Sequence, residues 1–278
     1  MPNDKIFFFE TSDDLHLLGF FHIPERIKYN IGIIYTHPFA EEQNCSHSIV
    51  VKAAREFTKL GIPVMRFDMR GLGDSQGELG DASIENWLTD VKRAVKVFKD
   101  ELKIEKLGYW GLRCGCALNV LAANDERDAL FNILWQPVFE FDTYIQQFIR
   151  QILSTEIATQ SSQNKNMNAL LRELDEKGTL EIMGYTISLS LYQSFINAGN
   201  VVKLFPYENS TYLASVSLME KPNYAISRFA KYLEANKTPA EIAHIKAEPF
   251  WDRYWQWNSN QLIESTAKWL NTEVLGRF

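Results

Sequence analysis

Few stretches of the chain carry residue types at spacings that could do chemistry, and the sharpest is Tyr109-Trp110-Gly111-Leu112-Arg113-Cys114-Gly115. An apolar run ends at a pair of glycines four positions apart, and small and apolar residues follow. This pattern predicts a strand, a tight turn and a helix. In so sharp a turn the flanking positions must be glycine, because a side chain there would strike the neighbouring strands. The third position is thrust into a cleft at the start of the helix. A serine in that place is a nucleophile, but this chain has Arg113. A guanidinium stays protonated at any working pH, so it is neither nucleophile nor base. At a helix N-terminus it would instead bind an anion, its planar fork adding to the free N–H groups and the positive end of the helix dipole. A cation held there needs an acid partner, either a ligand or one of Glu41, Glu42, Asp74 and Glu248.

Other residues could complete such a site. His37-Pro38-Phe39-Ala40-Glu41-Glu42 follows a short apolar run and reads as a loop. Its backbone N–H near Phe39, with that of Cys114, could polarise a carbonyl, and His37 would shape the loop. The Cys114 thiol would need a nearby base to act as a nucleophile, and its side chain should point away from the cleft. Asp68-Met69-Arg70-Gly71-Leu72-Gly73-Asp74-Ser75 is a loop in which Ser75 reads as a turn former. Glu220 follows the strand expected over Tyr212–Leu218, and Trp251 belongs to an aromatic stretch that lines a pocket or packs the last helix.

The elements that must position these residues alternate. Strands are expected at Ile6–Glu10, Leu15–His22, Ile31–Thr36, Ile62–Phe67, Ile104–Trp110 and Leu130–Trp135. Helices are expected at Ser46–Leu60, Ser83–Leu102 (with Ser83 as N-cap) and Cys114–Ala123. Alternation at this spacing predicts an α/β fold with a mainly parallel sheet covered on both faces. It breaks near Phe139. Residues 140–200 read as an inserted helical lid containing a polar loop over 158–168, so that 1–139 and 201–278 form the core. The alternation resumes with strand Tyr212–Leu218, helix Tyr224–Ala235, strand Glu241–Ala247 and a last helix near Gln261–Val274.

Glycine, tip residue, glycine after a strand resembles the nucleophile elbow G-x-S-x-G of the α/β-hydrolases, and D-x-R-G-x-G-x-S resembles the loop after their fourth strand. The blocks His37-Pro38-Phe39-Ala40-Glu41-Glu42-Gln43-Asn44, Gly71-Leu72-Gly73-Asp74-Ser75-Gln76-Gly77, Trp110-Gly111-Leu112-Arg113-Cys114-Gly115, Trp135-Gln136-Pro137, Gly184-Tyr185 and Glu248-Pro249-Phe250-Trp251 occur in one order. Together they resemble the exosortase A system-associated hydrolase type 2 group. That resemblance implies an α/β-hydrolase fold, a hydrolase-like activity in an exopolysaccharide setting, and Arg113 as a feature of the group.

The triad of such a fold needs a nucleophile, an acid and a histidine in that chain order. The nucleophile position holds Arg113, and the segment after the last strand, Glu248-Pro249-Phe250-Trp251-Asp252, has no histidine. The only late histidine, His244, lies inside the strand, and Glu220 has no imidazole to orient. A serine-triad reaction is therefore not expected. Two readings stay open. One is an enzyme on an ester, thioester or acyl group, and the other is a non-catalytic protein binding an acyl or anionic small molecule, free or carrier-bound. The formal charge of −6 argues against nucleic acid, and no apolar run is long enough to span a membrane. The three cysteines have no metal spacing, and the N-terminus does not read as a signal peptide. No metal or cofactor is expected, and the location is expected to be cytoplasmic.

Overall fold

A computed structural model describes residues 3–123, 129–158, 166–182, 184–254 and 259–278. The apolar runs near the N-terminus form a hairpin, β1 (Asn3–Glu10) with β2 (His16–Ile23). The strands that follow are β3 (Ile31–Thr36), β4 (Val64–Phe67), β5 (Lys106–Leu112), β6 (Ala129–Trp135), β9 (Ser210–Ser217) and β10 (Ala240–Lys246). The eight make one sheet in the order β1-β2-β4-β3-β5-β6-β9-β10, in which β2 alone runs against the others. Helices α1 (Glu41–Thr58) and α8 (Asn260–Trp269) cover one face. Helices α2 (Ile84–Leu102), α3 (Gly115–Ala123) and α7 (Tyr224–Ala235) cover the other. This is the expected α/β-hydrolase architecture, with every βα crossover burying one apolar helix stripe on the sheet.

Between β6 and β9 lie α4 (Phe141–Ala158), α5 (Met167–Lys177), the two-stranded β7 (Thr179–Ile182) and β8 (Tyr185–Ser188), and α6 (Leu189–Ala198). The chain leaves and returns at one point. Glu140 bridges Asn200, Phe141 N–H donates to the Gly199 carbonyl at 2.8 Å, and Val201 N–H donates to that of Phe139 at 3.0 Å. Most of the expected polar loop over 158–168 lies outside the described residues.

Several boundaries shift by a few residues from expectation, and two of the shifts shape the site. Helix α1 begins at Glu41, not Ser46. Ala40, at φ 49°, turns the chain straight from Phe39 into the helix. Glu41 and Glu42 thus sit in the first turn, where carboxylates suit the helix dipole. The apolar periodicity of Ile49, Ala53 and Phe57 marks only the buried stripe and is blind to this polar turn. Strand β5 runs through Gly111 to Leu112, because pairing of Gly111 with Thr36 and of Leu112 with Trp135 carries the ladder to the edge of the turn.

A buried polar chain links the hairpin to β4. Arg66 Nε donates to His22 Nε2 at 2.9 Å, and His22 Nδ1 meets Asp4 Oδ1 at 2.9 Å. Burial first, and the Arg66 cation second, hold the His22 pKa down to about 4. Burial also lowers those of His37 and His47. A group whose folded pKa is depressed stabilises the fold above its unfolded pKa and loses that contribution as pH falls. Stability should therefore decline as pH drops from about 6.5 towards 4, by about 1.4 kcal/mol per pH unit for each proton taken up. Urea melts across this window should show the decline, and His22→Gln should flatten it; an unchanged slope in that variant would count against the burial of a neutral His22.

Candidate active-site cleft

The turn after β5 is a true elbow. A Cβ on Gly111 would lie 2.6 Å from the Cys116 backbone nitrogen, and one on Gly115 would lie 2.2 Å from the Thr36 carbonyl oxygen. Only glycine fits at either position. Between them Arg113 takes φ 55°, a left-handed conformation that is strained for a bulky residue. Its carbonyl accepts from Cys116 N–H at 3.2 Å, which starts α3, and its own N–H donates to the Trp135 carbonyl at 3.1 Å. Two other non-glycine residues with positive φ stand at the neighbouring strand ends, Ala40 after β3 and Gln136 after β6. Backbone strain thus gathers at the carboxyl ends of β3, β5 and β6, where α/β sheets place their ligands.

The Arg113 side chain is mostly buried and has an internal partner. Its Nε donates to Glu42 Oε1 at 3.1 Å. The other carboxylate oxygen, Glu42 Oε2, accepts from the Tyr144 hydroxyl of α4 at 2.6 Å. The guanidinium carbon lies 5.3 Å from the Trp251 ring centre and 5.8 Å from that of Tyr144, close enough for cation–π attraction. Burial works against the Arg113 charge, but Glu42 more than offsets it, and the pKa is raised above the usual arginine value. Asp252 lies near the same cation, and burial raises its pKa against the opposing pull of Arg253 and Arg113.

The remaining predicted residues scatter. Phe39 is buried in a ring cluster with Trp87, Tyr144, Phe148 and Phe195, at centroid distances of 4.8–6.5 Å. The Cys114 thiol is buried in the same cluster. Burial and Glu42 push its pKa up to about 12, with partial relief from the Tyr144 hydroxyl, Arg113 and the Phe39 backbone N–H. It is a thiol at neutral pH, lying beside the Tyr144 hydroxyl and the Phe39 backbone. His37 is buried and spent on structure: Nε2 accepts from Met69 N–H at 3.1 Å, so Nδ1 donates to the Pro38 carbonyl at 2.7 Å. Glu41 accepts from the Tyr185 hydroxyl of β8 at 2.9 Å. Asp74 is exposed in its turn and Glu248 meets Arg253 at 3.3 Å, so neither is the partner of Arg113. Glu220 is an exposed residue paired with Lys246, remote from any acid role at the elbow. Ser75 holds its turn, donating to the Asp68 carbonyl at 2.6 Å and accepting from Leu18 N–H at 2.9 Å.

The His37 backbone carbonyl packs against Gly115, but no imidazole of the five histidines hydrogen-bonds to the elbow. His16 meets Gln76, His22 meets Asp4 and Arg66, and His37 is accounted for above. His47 lies beside Arg66 and Asp68, and His244, in edge strand β10, meets the Met219 carbonyl at 2.8 Å. Tyr144 is the member of the Arg113–Glu42 cluster that sequence reasoning missed. It lies 31 positions from Arg113 on α4, and nothing local marks it apart from the other aromatic residues of that helix.

A cavity of about 490 Å³ opens over the elbow. Its wall includes Arg113, Gln136, Thr143, Gln147, Asn223 and Arg228. A larger groove of about 610 Å³ lies at the opposite ends of the strands, between the β2–β3 connection and the end of α1, away from this chemistry.

Residues 35–202, more than half the chain, match the family model of the serine aminopeptidase S33 hydrolases. A comparison with curated proteins found no match. Among solved structures, the chain is similar to Est1E of Butyrivibrio proteoclasticus in its ferulic acid complex (TM-score 0.67, 16% identity, 97% of this chain and 99% of that one). It is also similar to the Pyrococcus furiosus esterase Pf2001 (0.65, 13%, 98% and 91%). A third is the mouse alpha/beta hydrolase domain-containing protein 10 (0.61, 16%, 96% and 99%). At these identities the likeness is one of fold. The elbow, the sheet order and the matched segment together make this chain a member of the serine aminopeptidase S33 family of α/β-hydrolases.

Proposed function

We propose that the protein is a ligand-binding member of this hydrolase family that has given up the serine-triad reaction while keeping the cleft. The observation that carries the reading is the elbow tip. A permanent cation occupies the place of the reacting hydroxyl, its neighbour is a carboxylate, four of the histidines are hydrogen-bonded elsewhere, and His47 lies beside Arg66 and Asp68. Acyl transfer needs a nucleophile whose proton an imidazole can take, and Cys114 offers none, being a buried thiol with its pKa raised to about 12. Residues 140–200 act in this reading as a lid whose Tyr144 and Tyr185 hydroxyls fasten it to Glu42 and Glu41 of α1. The small-molecule ligand enters beneath it. The buried, unpaired state of Cys45, Cys114 and Cys116 suits a cytoplasmic setting. The blocks shared with the exosortase-associated group favour an accessory role in exopolysaccharide assembly.

The test is turnover. Aryl esters from acetate to octanoate, and the matching acyl thioesters, should give rates no higher than buffer, and Arg113→Ser should gain nothing, since no imidazole stands by to activate the new hydroxyl. Steady turnover by the wild-type protein that Arg113→Ala removes would instead favour an enzyme using the guanidinium to hold its substrate.

A further inference from the structure

We infer that the cavity over the elbow takes a small hydrophilic ligand with one anionic group, a carboxylate or a phosphate, rather than an acyl chain. This rests on the ligand-binding reading above and names the class of ligand. The side of the cleft where an acyl group would lie against Phe39 and Cys114 is filled by the aromatic cluster of Phe39, Trp87, Tyr144, Phe148 and Phe195. What remains open is the side towards β6 and β9, and its volume of about 490 Å³ falls within the roughly 300–1,000 Å³ of small-molecule sites. Its wall is more polar than apolar: the amides of Gln147, Asn200 and Asn223 and the hydroxyl of Thr143 stand beside Pro137 and Val138. The amides and the hydroxyl suit hydroxyls on a ligand and give nothing to a hydrocarbon tail.

Three sources of positive potential converge on the cavity. Glu42 engages Arg113 through Nε, and among the described residues no hydrogen bond reaches its Nη atoms. Arg228 stands in the wall, positioned by Glu140, which in turn accepts from Asn200 at 3.3 Å. Helix α7 starts there too. The Asn223 side chain caps the Ile226 N–H at 2.9 Å, while Tyr224 and Ala225, whose N–H groups have no partner within the helix, line the space. Each guanidinium has one carboxylate partner, Glu42 for Arg113 and Glu140 for Arg228, so the case for an anion rests on the donors left over: the Nη atoms of Arg113 and the first N–H groups of α7.

The experiment is a thermal-shift and calorimetric titration of the full chain with four probes: glycerate, glycerol 3-phosphate, octanoate and glycerol. Glycerate or glycerol 3-phosphate should raise the melting temperature and bind, and the tighter of the two identifies the anionic group. Octanoate and glycerol should bind at least tenfold more weakly. Arg228→Ala, at a partly exposed position whose loss leaves the fold intact, should weaken the polar anion at least tenfold, with Arg228→Lys restoring part of it. No response to either polar anion, octanoate binding as tightly as they do, or a response indifferent to Arg228→Ala would each overturn the inference. None of these outcomes touches the turnover assay, so failure here is distinct from failure of the non-catalytic reading.

Discussion

Arg113→Ala is expected to lower the stability of the fold by about 3 kcal/mol, a fall of roughly 5 °C in melting temperature for a chain of this size. The loss comes from what stays behind. Glu42 is largely buried, and without the guanidinium its carboxylate keeps only the Tyr144 hydroxyl. Removing one partner of a buried pair usually costs about 3–5 kcal/mol, and the residual exposure of both side chains argues for the lower end. Because the loss is the stranded charge, Glu42→Ala on top of Arg113→Ala should recover part of it. A double-mutant cycle in urea should give a coupling of at least about 1.5 kcal/mol. Additive effects of the two substitutions would mean that the pair is an incidental contact.

A comparable or larger effect is expected from Arg70→Ala, about 3–5 kcal/mol. Arg70 Nε and Nη2 grip the fully buried carboxylate of Asp90 at 2.7–3.1 Å, and the Arg70 backbone N–H adds a bond to Asp90 Oδ2 at 3.0 Å. Its remaining nitrogen, Nη1, reaches Asp13 at 2.6 Å, where the half-exposed carboxylate contributes little. Trp87 Nε1 donates to the Arg70 carbonyl at 3.1 Å, so one residue ties the β4 loop to α2 and the first hairpin turn. Arg70→Lys should restore little, because an ammonium cannot match the two-pronged geometry. Denaturation midpoints for the two variants give the check; a loss below about 1 kcal/mol in Arg70→Ala would show that Asp90 is satisfied by other means.

The elbow was legible in the sequence because its signal is local. Gly111 and Gly115 mark the tip by their spacing after an apolar run; the clash that requires Gly111 is with the turn itself, whereas the one that requires Gly115 is with the Thr36 carbonyl at the end of β3. The alternation of strands and helices was legible for a similar reason, since each element buries its own stripe. Which acid would meet Arg113 was not. Glu41, Glu42, Asp74 and Glu248 were equivalent on paper, and the choice among them depends on α1 starting at Glu41 and on how that first turn faces the elbow. Glu220 looked placed by its distance past β9, yet its side chain turns out to Lys246 on the surface. Tyr144 was invisible because its bond to Glu42 arises only when α4 packs against the first turn of α1. The surroundings of Cys114, beside the Tyr144 hydroxyl of α4, were equally out of reach, because they depend on how α4 packs on the elbow.

Covalent trapping tests the central claim most directly. After prolonged exposure of the native protein to a fluorophosphonate, intact-mass spectrometry should show only the unmodified chain, because no hydroxyl at the elbow is activated by an imidazole. A stoichiometric adduct mapped to any serine lining the cleft would contradict the account, since it would reveal a working nucleophile that the Arg113–Glu42 pair was held to have replaced.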